Sequence, residues 1–434
     1  MSRRAFLGTS AAVPAALAVR EAAGQDVRQS AAPPAPGGRS LANLRDMYRR
    51  DLFDDYLPYV DRNVIDHDRG GFMCEVDLDG RLISTNKSSW FDGRGLWVYA
   101  FLYNHFGGDP SHLEVARKTA DLLLRVGPSG PDGLFPKTYT RDGSPLGSAD
   151  GEIYGDLFVA EGLAEYAAAT GETHHRAVAR DLVMKCVAMY DRADYRPTIG
   201  QTYLGPGARP LPGARILGVW MVLLRVCTQM LERQADAELD SIAARAVDAI
   251  THAHFNPDFE LCNELLNHDL SRPENEYRQL VYTGHCLEVL WMVLLEARRR
   301  HDRALFDLTA ARYRRHLNVA WDDVFGGVFR NLQHVENNVW LTDKVLWAQE
   351  EVLVATLLLA GAGVTWAAGE FARMHDYVRT TYPLERRGLP IWMYAGNRRM
   401  AYASFLAMPR RLENYHHPRH LMLNLLELER QTRG

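Results

Sequence analysis

Apolar residues recur with the 3.6-residue period of an amphipathic helix along most of the chain, whereas strand-like alternation is confined to short patches such as Gly71–Asp77 and Gly326–Asn331. The period predicts helices at residues 42–64, 91–106, 111–126, 152–169, 173–191, 213–233, 235–254, 278–300, 303–318, 340–361, 364–381 and 413–431. Most of these twelve segments pair as helix, short turn, helix. Because one helical hairpin alone leaves an apolar face bare, six such hairpins predict a closed all-α toroid.

Turn-rich stretches follow alternate helices of this pattern, at residues 65–90, 127–150, 192–212, 255–277, 319–339 and 382–412. In a toroid of hairpins these stretches would all lie at one end. We therefore expect the functional residues at that end, where the loops would surround a pocket and the inner helices would form its floor.

The first 40 residues differ from the rest of the chain. The twin-arginine pattern SRRAFL at residues 2–7 precedes a short Ala-rich apolar run through Val19, and residues 20–40 are rich in Pro and Gly. Since a membrane span needs roughly 20 apolar residues, this segment is interpreted as an export signal with a flexible leader. The pattern predicts export by the twin-arginine route to the periplasm or extracellular space, without membrane attachment after cleavage. Residues 41–434, uninterrupted by a long linker, are expected to form a single domain.

Charge and cysteine content argue against nucleic-acid binding, against a disulfide framework and against a cysteine-based metal site. The chain has 50 basic and 54 acidic residues and no basic block, which argues against nucleic-acid binding. Its five cysteines are scattered and lack metal-ligand spacing. Neither a disulfide framework nor a cysteine-based metal site is expected.

The segment YTGHCLEVLW at residues 282–291 combines residue types that suit sugar binding and proton transfer. On a helix His285, Glu288 and Trp291 would fan across one side. An aromatic face covers the C–H side of a sugar ring, while imidazole and carboxylate groups handle hydroxyls and protons. The same spacing also fits a satisfied His–Glu pair in a core or on a surface, so this interpretation depends on other segments.

Two further segments suit the same chemistry. Arg94, in WFDGRGLW at residues 90–97, offers a permanent charge and five donors near a helix start, which suits an enolate oxygen. A salt-bridged Arg that supports a turn is the alternative. Trp347 and Glu351 share a helix face at i, i+4, either as a sugar platform beside a carboxylate or as a core Trp beside a solvated Glu.

A histidine-rich segment, YHHPRH at residues 415–420, precedes the final predicted helix. Pro418 fits a first helical turn, so His416 or His417 would lie at the cap and would project into a pocket. A metal site is the competing interpretation. It finds no support in an HExxH or Cys-rich pattern elsewhere in the chain.

Together these segments resemble the N-acylglucosamine 2-epimerase family, which includes cellobiose 2-epimerases and related aldose–ketose isomerases. The matching motifs, in family order, are Gly70-Gly71-Phe72 with Asp79-Gly80, WFDGRxLW (90–97), GHxxExxW (284–291), WxQxE (347–351) and YHxPR (415–419). They span most of residues 45–430. The resemblance implies an (α/α)6 barrel, in agreement with the helix count.

The resemblance also implies a mechanism without a cofactor or metal. One histidine would remove the proton on C2 of an open-chain aldose, and a second histidine on the opposite face would return it. His285 and His416 would form this pair, since an imidazole pKa of about 6.5 permits either role at neutral pH. Two bases on two faces give epimerisation, whereas one base shuttling between C1 and C2 gives aldose–ketose isomerisation.

Other family roles carry over to matching positions. Arg94 would stabilise the enediolate oxygen, and Glu288 and Glu351 would orient hydroxyls and aid ring opening. The residues expected to contact the sugar are aromatic: Trp291, Trp347, Trp90 and Tyr415. The expected substrate is a mono- or disaccharide, and a homodimer is the expected form of any assembly.

Two positions depart from the family pattern. Phe158 stands where many bacterial members have a third histidine. The mammalian-like members also have a Phe there, which favours an acylated amino sugar over a free disaccharide. Leu346 precedes Trp347 where a tandem Trp is usual. Two other functions stay open: a six-hairpin glycoside hydrolase with Glu288 and Glu351 as its carboxylate pair, and an exported sugar-binding protein without catalysis.

Overall fold

A computed structural model of the chain describes residues 40–77, 80–130, 132–146, 153–197, 209, 211–382, 394–396, 401–403, 412 and 414–433. Residues 1–39, with the predicted export signal and nearly all of the leader, lie outside this description. Asp79 and most of the predicted loop at 382–412 lie outside it as well.

The helices in the described residues are α1 (Leu41–Arg50), α2 (Leu57–Asn63), α3 (Ser89–His105), α4 (Pro110–Val126), α5 (Ile153–Thr170), α6 (Thr173–Tyr190), α7 (Leu217–Arg233), α8 (Ala237–Asp248), α9 (Thr283–Arg299), α10 (Arg303–Ala320), α11 (Leu346–Gly361), α12 (Ala367–Thr381) and α13 (His416–Arg433). A π-helical turn, Asp51–Tyr56, joins α1 to α2, and another, Ala249–Ala253, extends α8. Each predicted segment thus corresponds to a helix, with α1, the turn and α2 forming the first.

Three predicted helices begin four or more residues too early. The segments predicted at 213–233, 278–300 and 340–361 start as helices only at Leu217, Thr283 and Leu346. Short strands precede two of them, because Arg215–Ile216 pairs with Leu265–Leu266 and Lys344–Val345 pairs with Tyr394–Gly396. The apolar run continues through strand and helix alike, so the hydrophobic pattern alone does not mark the boundary.

The strands are short and lie in the loops between hairpins: β1 (Arg215–Ile216), β2 (Phe255–Asn256), β3 (Leu261–Cys262), β4 (Leu265–Leu266), β5 (Asn331–His334), β6 (Val339–Leu341), β7 (Lys344–Val345), β8 (Tyr394–Gly396) and β9 (Ala401–Ala403). They form antiparallel pairs β1–β4, β2–β3 and β5–β6 and a three-stranded sheet β7–β8–β9. The predicted patch Gly71–Asp77 makes only isolated bridges, and the patch Gly326–Asn331 leads into β5.

Six helices form a closed inner ring. Contacts run from α3 to α5, α7, α9, α11 and α13 and return from α13 to α3. The helices between them in sequence pack on the outside, so the protein is an (α/α)6 barrel. Since alternate helices of a hairpin chain run in the same direction, the N-termini of the inner helices all lie at one end of the barrel.

The inner helices are buried on nearly every side, which explains their continuous apolar sequences. In α11, for example, residues 346–359 are all buried. Such a helix faces the barrel axis on one side and the outer helices on the other. Despite this apolarity, none of the helices in the described ranges has the length and hydropathy of a membrane span.

In five inner helices, the residues on the side toward the barrel axis stand at the same positions, counted from the start of each helix. Counting from the first helical residue, the sixth positions of α3, α5, α7, α9 and α11 are Arg94, Phe158, Val222, Glu288 and Glu351. The second positions are Trp90, Tyr154, Gly218, Gly284 and Trp347, and the ninth are Trp97, Glu161, Arg225, Trp291 and Val354. Second, sixth and ninth residues lie on one stripe of a helix. The guanidinium of Arg225 approaches the rings of both Trp97 and Trp291, so the ninth positions meet across the barrel.

Two loops at the N-terminal end of the inner helices are each held by a buried lysine that binds an aspartate and a glycine carbonyl. Lys87 Nζ donates to Asp66 Oδ2 at 2.8 Å and to the Gly70 carbonyl, within a fully buried ion pair. Lys344 Nζ donates in the same way to Asp322 Oδ2 at 2.7 Å and to the Gly326 carbonyl. We call these the two lysine clasps. They hold the loops before α3 and α11 against the barrel.

Candidate active site

His416 begins α13 and meets a buried group of charged side chains. Its Nδ1 lies 2.9 Å from Glu351 Oε1. Arg419, one turn later, donates from Nη2 to Glu351 Oε1 at 2.6 Å and also to Glu288 Oε1. Trp291 Nε1 donates to the other Glu351 oxygen at 2.7 Å. The sixth positions of α9 and α11 are thereby joined to α13.

The hydrogen bonds of this group orient the His416 ring. Arg419 is 1% exposed and carries only donors. Burial by itself would lower the pKa of Arg419, but Glu351, Tyr415 and Glu288 hold that pKa well above its ordinary value, so the guanidinium stays charged. His416 Nδ1 lies 2.9 Å from Glu351 Oε1 and 3.1 Å from Arg419 Nη2, so both partners hold the ring by Nδ1 and its Nε2 points away from them.

His285, the third residue of α9, has a separate carboxylate partner. Its Nδ1 lies 2.8 Å from Oε1 of Glu264, a residue with no exposed surface. Burial raises the pKa of Glu264, and the His285 imidazole opposes that rise. The Glu264 backbone is fixed by hydrogen bonds with Leu217 and Leu280, so the carboxylate is held in place for the imidazole.

Glu264 is absent from the residues that the motifs identify. It lies in a loop without helical period, in the run LCNELL at residues 261–266. The only available signal is that Asn263 and Glu264 interrupt an otherwise apolar run, and both are fully buried. A polar pair inside such a run marks buried groups that require partners.

The Trp347 ring lies beside both histidines, His285 and His416. Its ring centroid lies 5.1 Å from that of His416 and 6.2 Å from that of His285. The ring packs against Gly284, where an added Cβ would lie 2.6 Å from Trp347 Cη2. The glycine before His285 is thus needed for the indole to lie between the two imidazoles.

Arg94 is surrounded by aromatic rings. Its Cζ lies 4.1 Å from the ring centroid of Phe158, 4.6 Å from that of Tyr415 and 5.0 Å from that of Trp90. Such contacts hold a guanidinium in position without neutralising it. Phe158, the departure from the family pattern, is therefore one wall of the Arg94 environment.

The predicted sugar contacts divide into two groups. Trp90 is partly exposed, and Trp347 is 7% exposed. Trp291 has no exposed surface and binds Glu351, and Tyr415 is 1% exposed and donates to Glu161 at 2.8 Å. Guanidinium groups of the core lie over both of these rings. A sugar contact of Trp291 and Tyr415 stays a prediction.

The position of the site at the N-terminal end of the inner ring has an electrostatic effect. Trp90, His285 and Trp347 lie in the first turn of α3, α9 and α11. Each helix N-terminus carries roughly half a positive charge, which favours an anion nearby. A negative charge that develops on a bound molecule at this end is stabilised by several helices together.

One set of site residues has the composition of a metal site. Donor atoms of Glu288, Glu351 and His416 lie within 4.8 Å of one another. The Arg419 guanidinium, however, already binds both carboxylates and supplies the positive charge between them. These three residues are therefore better suited to proton transfer and hydrogen bonding than to metal binding.

Comparison with known proteins points to one family. The family model described as N-acylglucosamine 2-epimerase (GlcNAc 2-epimerase) matches residues 70–416. The N-acylglucosamine 2-epimerase of Bos taurus is 28% identical over 68% of this chain and 70% of its own length, and that of Homo sapiens is 27% identical over 68% and 69%.

Solved structures show the same fold at low identity. The cellobiose 2-epimerase of Spirochaeta thermophila DSM 6192 has a TM-score of 0.76 and 16% identity over 90% of this chain and 98% of its own. A D-mannose isomerase has a TM-score of 0.68 and 13% identity over 89% and 97%. A GH76 α-mannanase from Bacteroides thetaiotaomicron has a TM-score of 0.58 and 9% identity over 92% and 98%.

Proposed function

Because this chain belongs to the N-acylglucosamine 2-epimerase family, we propose that it epimerises a reducing-end aldose at C2 by proton transfer between substrate and two histidines, His285 and His416. One observation carries this proposal. Each imidazole has its Nδ1 on a buried carboxylate, and both rings lie beside the Trp347 ring. Both rings thus direct Nε2 away from their partners, as a pair of acid–base groups requires.

The first step begins with the open-chain aldose. The neighbouring carbonyl acidifies the proton on C2, and the Nε2 lone pair of one histidine accepts that proton. The electron pair of the broken C–H bond moves into an enediolate. Arg94, held by its aromatic neighbours, and the N-termini of the inner helices stabilise the negative oxygen.

The second step completes the inversion. The other histidine, protonated at the start, gives its proton to C2 on the opposite face, and the carbonyl forms again. Glu264 and Glu351 stabilise the imidazolium that forms on each side, because each carboxylate lies within 2.9 Å of an Nδ1. No redox step or cofactor enters this sequence.

A glycoside hydrolase with Glu288 and Glu351 is less well supported by the same geometry. One of its two carboxylic acids would have to be protonated at the start of the reaction. Arg419 Nη2 instead donates to Oε1 of both carboxylates, so the two groups share one buried guanidinium. Glu288 and Glu351 are therefore assigned to holding Arg419, His416 and substrate hydroxyls.

Proton NMR in D2O tests the proposal. The purified protein is incubated with N-acetylglucosamine, N-acetylmannosamine, glucose, mannose or cellobiose, and deuterium at C2 is followed with product formation. His285→Ala and His416→Ala are each expected to abolish epimerisation, because each variant keeps a base on one face of C2 only and can at most exchange the C2 proton of one epimer. His252→Ala, a change at a histidine whose side chain is 70% exposed, is the matched control and should leave exchange unchanged.

The product identifies the reaction. A C2 epimer with solvent deuterium supports two bases on two faces, whereas a ketose would show that one base moves the proton between C1 and C2. Epimerisation that persists in both histidine variants would refute the assignment of the bases. Absence of exchange with every sugar of the panel would contradict epimerisation of simple reducing sugars and favour binding without catalysis.

A further inference from the structure

A second cluster of histidines and a carboxylate lies behind the candidate active site. On α11 Glu350 precedes Glu351, and on α13 His417 follows His416. His417 Nδ1 contacts Glu350 Oε1. His420 Nδ1 donates to the His417 carbonyl at 2.9 Å and lies 3.4 Å from the same Glu350 oxygen. The three residues are at most 5% exposed. Neighbouring residues on the same two helices thus build two separate clusters.

Hydrogen bonds among the described residues leave one carboxylate oxygen of this second cluster without a partner. Glu350 has no exposed surface, and its Oε2 has no hydrogen-bond partner among the residues that the structure describes. A buried carboxylate oxygen without a partner is costly and uncommon in proteins. A cation bound at Glu350 Oε2 would satisfy this oxygen.

The donor set matches a divalent transition metal. One atom each of Glu350, His417 and His420 can be chosen so that all three lie within 4.8 Å of one another. His417 and His420 are three residues apart on a helix, which places both rings on one face. Two imidazoles and a carboxylate, with water in the fourth position, are a common set for Zn²⁺.

The surroundings provide room and an approach. A cavity of about 20 Å³ lies beside the cluster and is lined by His417, His420, Tyr48, Asp51 and Arg379 among others. This volume accommodates about one water molecule. Asp51 and Arg379 form a partly exposed ion pair at 3.0 Å, so the cavity lies close to the surface.

We propose that Glu350, His417 and His420 bind one Zn²⁺ or a similar transition-metal ion. The unpartnered Glu350 oxygen becomes a ligand or accepts from the metal-bound water. The ion links α11 to α13 directly behind Glu351 and His416. Its role is to fix the two helices that carry these groups, and it takes no part in proton transfer.

Cobalt spectroscopy with the chelator-treated full-length protein tests this proposal. Co²⁺ in a tetrahedral site gives visible absorption, which is titrated for stoichiometry and then displaced with Zn²⁺. We expect about one Co²⁺ per chain and a rise of several degrees in Tm with Zn²⁺. Glu350→Gln and His420→Gln should each weaken binding at least tenfold, in line with loss of a metal ligand.

Two controls locate the ion. His416→Ala removes a donor from the cluster in the active site, and His252→Ala removes an exposed histidine. Both variants should bind Co²⁺ like the unmodified protein. Binding that survives in Glu350→Gln and His420→Gln, or that is lost in His416→Ala, would overturn the assignment. Absence of stoichiometric Co²⁺ and Zn²⁺ binding to the folded protein would refute the proposal outright.

Discussion

The pairing of Glu264 with His285 yields a quantitative prediction about catalysis. Glu264→Gln keeps the shape of the side chain and removes its negative charge. The lost interaction is a buried, charge-assisted hydrogen bond of 2.8 Å. Such bonds contribute about 1.5–3 kcal/mol, which corresponds to a fall in kcat of about 10- to 100-fold if the interaction is fully expressed in the transition state. KM should change little, because Glu264 acts through His285.

The assay measures the rate of C2 deuterium incorporation and of product formation as functions of sugar concentration. Glu274→Gln is the matched control, since it makes the same chemical change in the same loop at a side chain that is 78% exposed. Thermal unfolding of both variants checks that the fold is intact. A Glu264→Gln variant that keeps kcat within twofold of the unmodified protein would refute the role assigned to Glu264.

Three further predictions concern stability. Arg419→Met leaves Glu288 and Glu351 buried without their cation and should cost about 3–5 kcal/mol in denaturant unfolding; an unchanged midpoint would contradict this. Burial raises the pKa of Asp92 to about 7, so its contribution to stability is present below the unfolded pKa and lost as pH rises through 7. The Tm of Asp92→Asn should therefore rise relative to the unmodified protein between pH 4 and 8, and the opposite trend would refute the linkage. Leu290→Ala, at a position without exposed surface, should cost about 2–5 kcal/mol in the same unfolding measurement, and a loss below about 1 kcal/mol would show that the site collapses around the cavity.

Local patterns predicted the helices and much of the site, for a physical reason. An inner helix must present one stripe to the axis and another to the outer layer, so its sequence carries a helical period that can be read without knowledge of neighbours. The same spacing placed Glu288 with Trp291, and Trp347 with Glu351, on common faces. The structure joins these pairs through Glu351, which binds Trp291.

Partners distant in sequence were not predictable in this way. Glu264 lies in a loop, 21 residues from His285, and nothing in its local spacing indicates the pairing. Arg419 belongs to the YHxPR motif, but the motif does not indicate its two carboxylate partners, which are 131 and 68 residues away. The burial of Trp291 likewise depends on guanidinium groups from other helices. Tertiary contacts decide these features.

The shared register of the inner helices bears on how such a barrel can change during evolution. Arg94, Glu288 and Glu351 occupy the same position in three different helices, and the loops before α3 and α11 carry the same lysine clasp. This repetition is what duplication of an ancestral hairpin would leave behind. A substitution of the sixth residue of one helix can then replace an acid, a base or an apolar group at the axis. The rest of that helical hairpin stays unchanged.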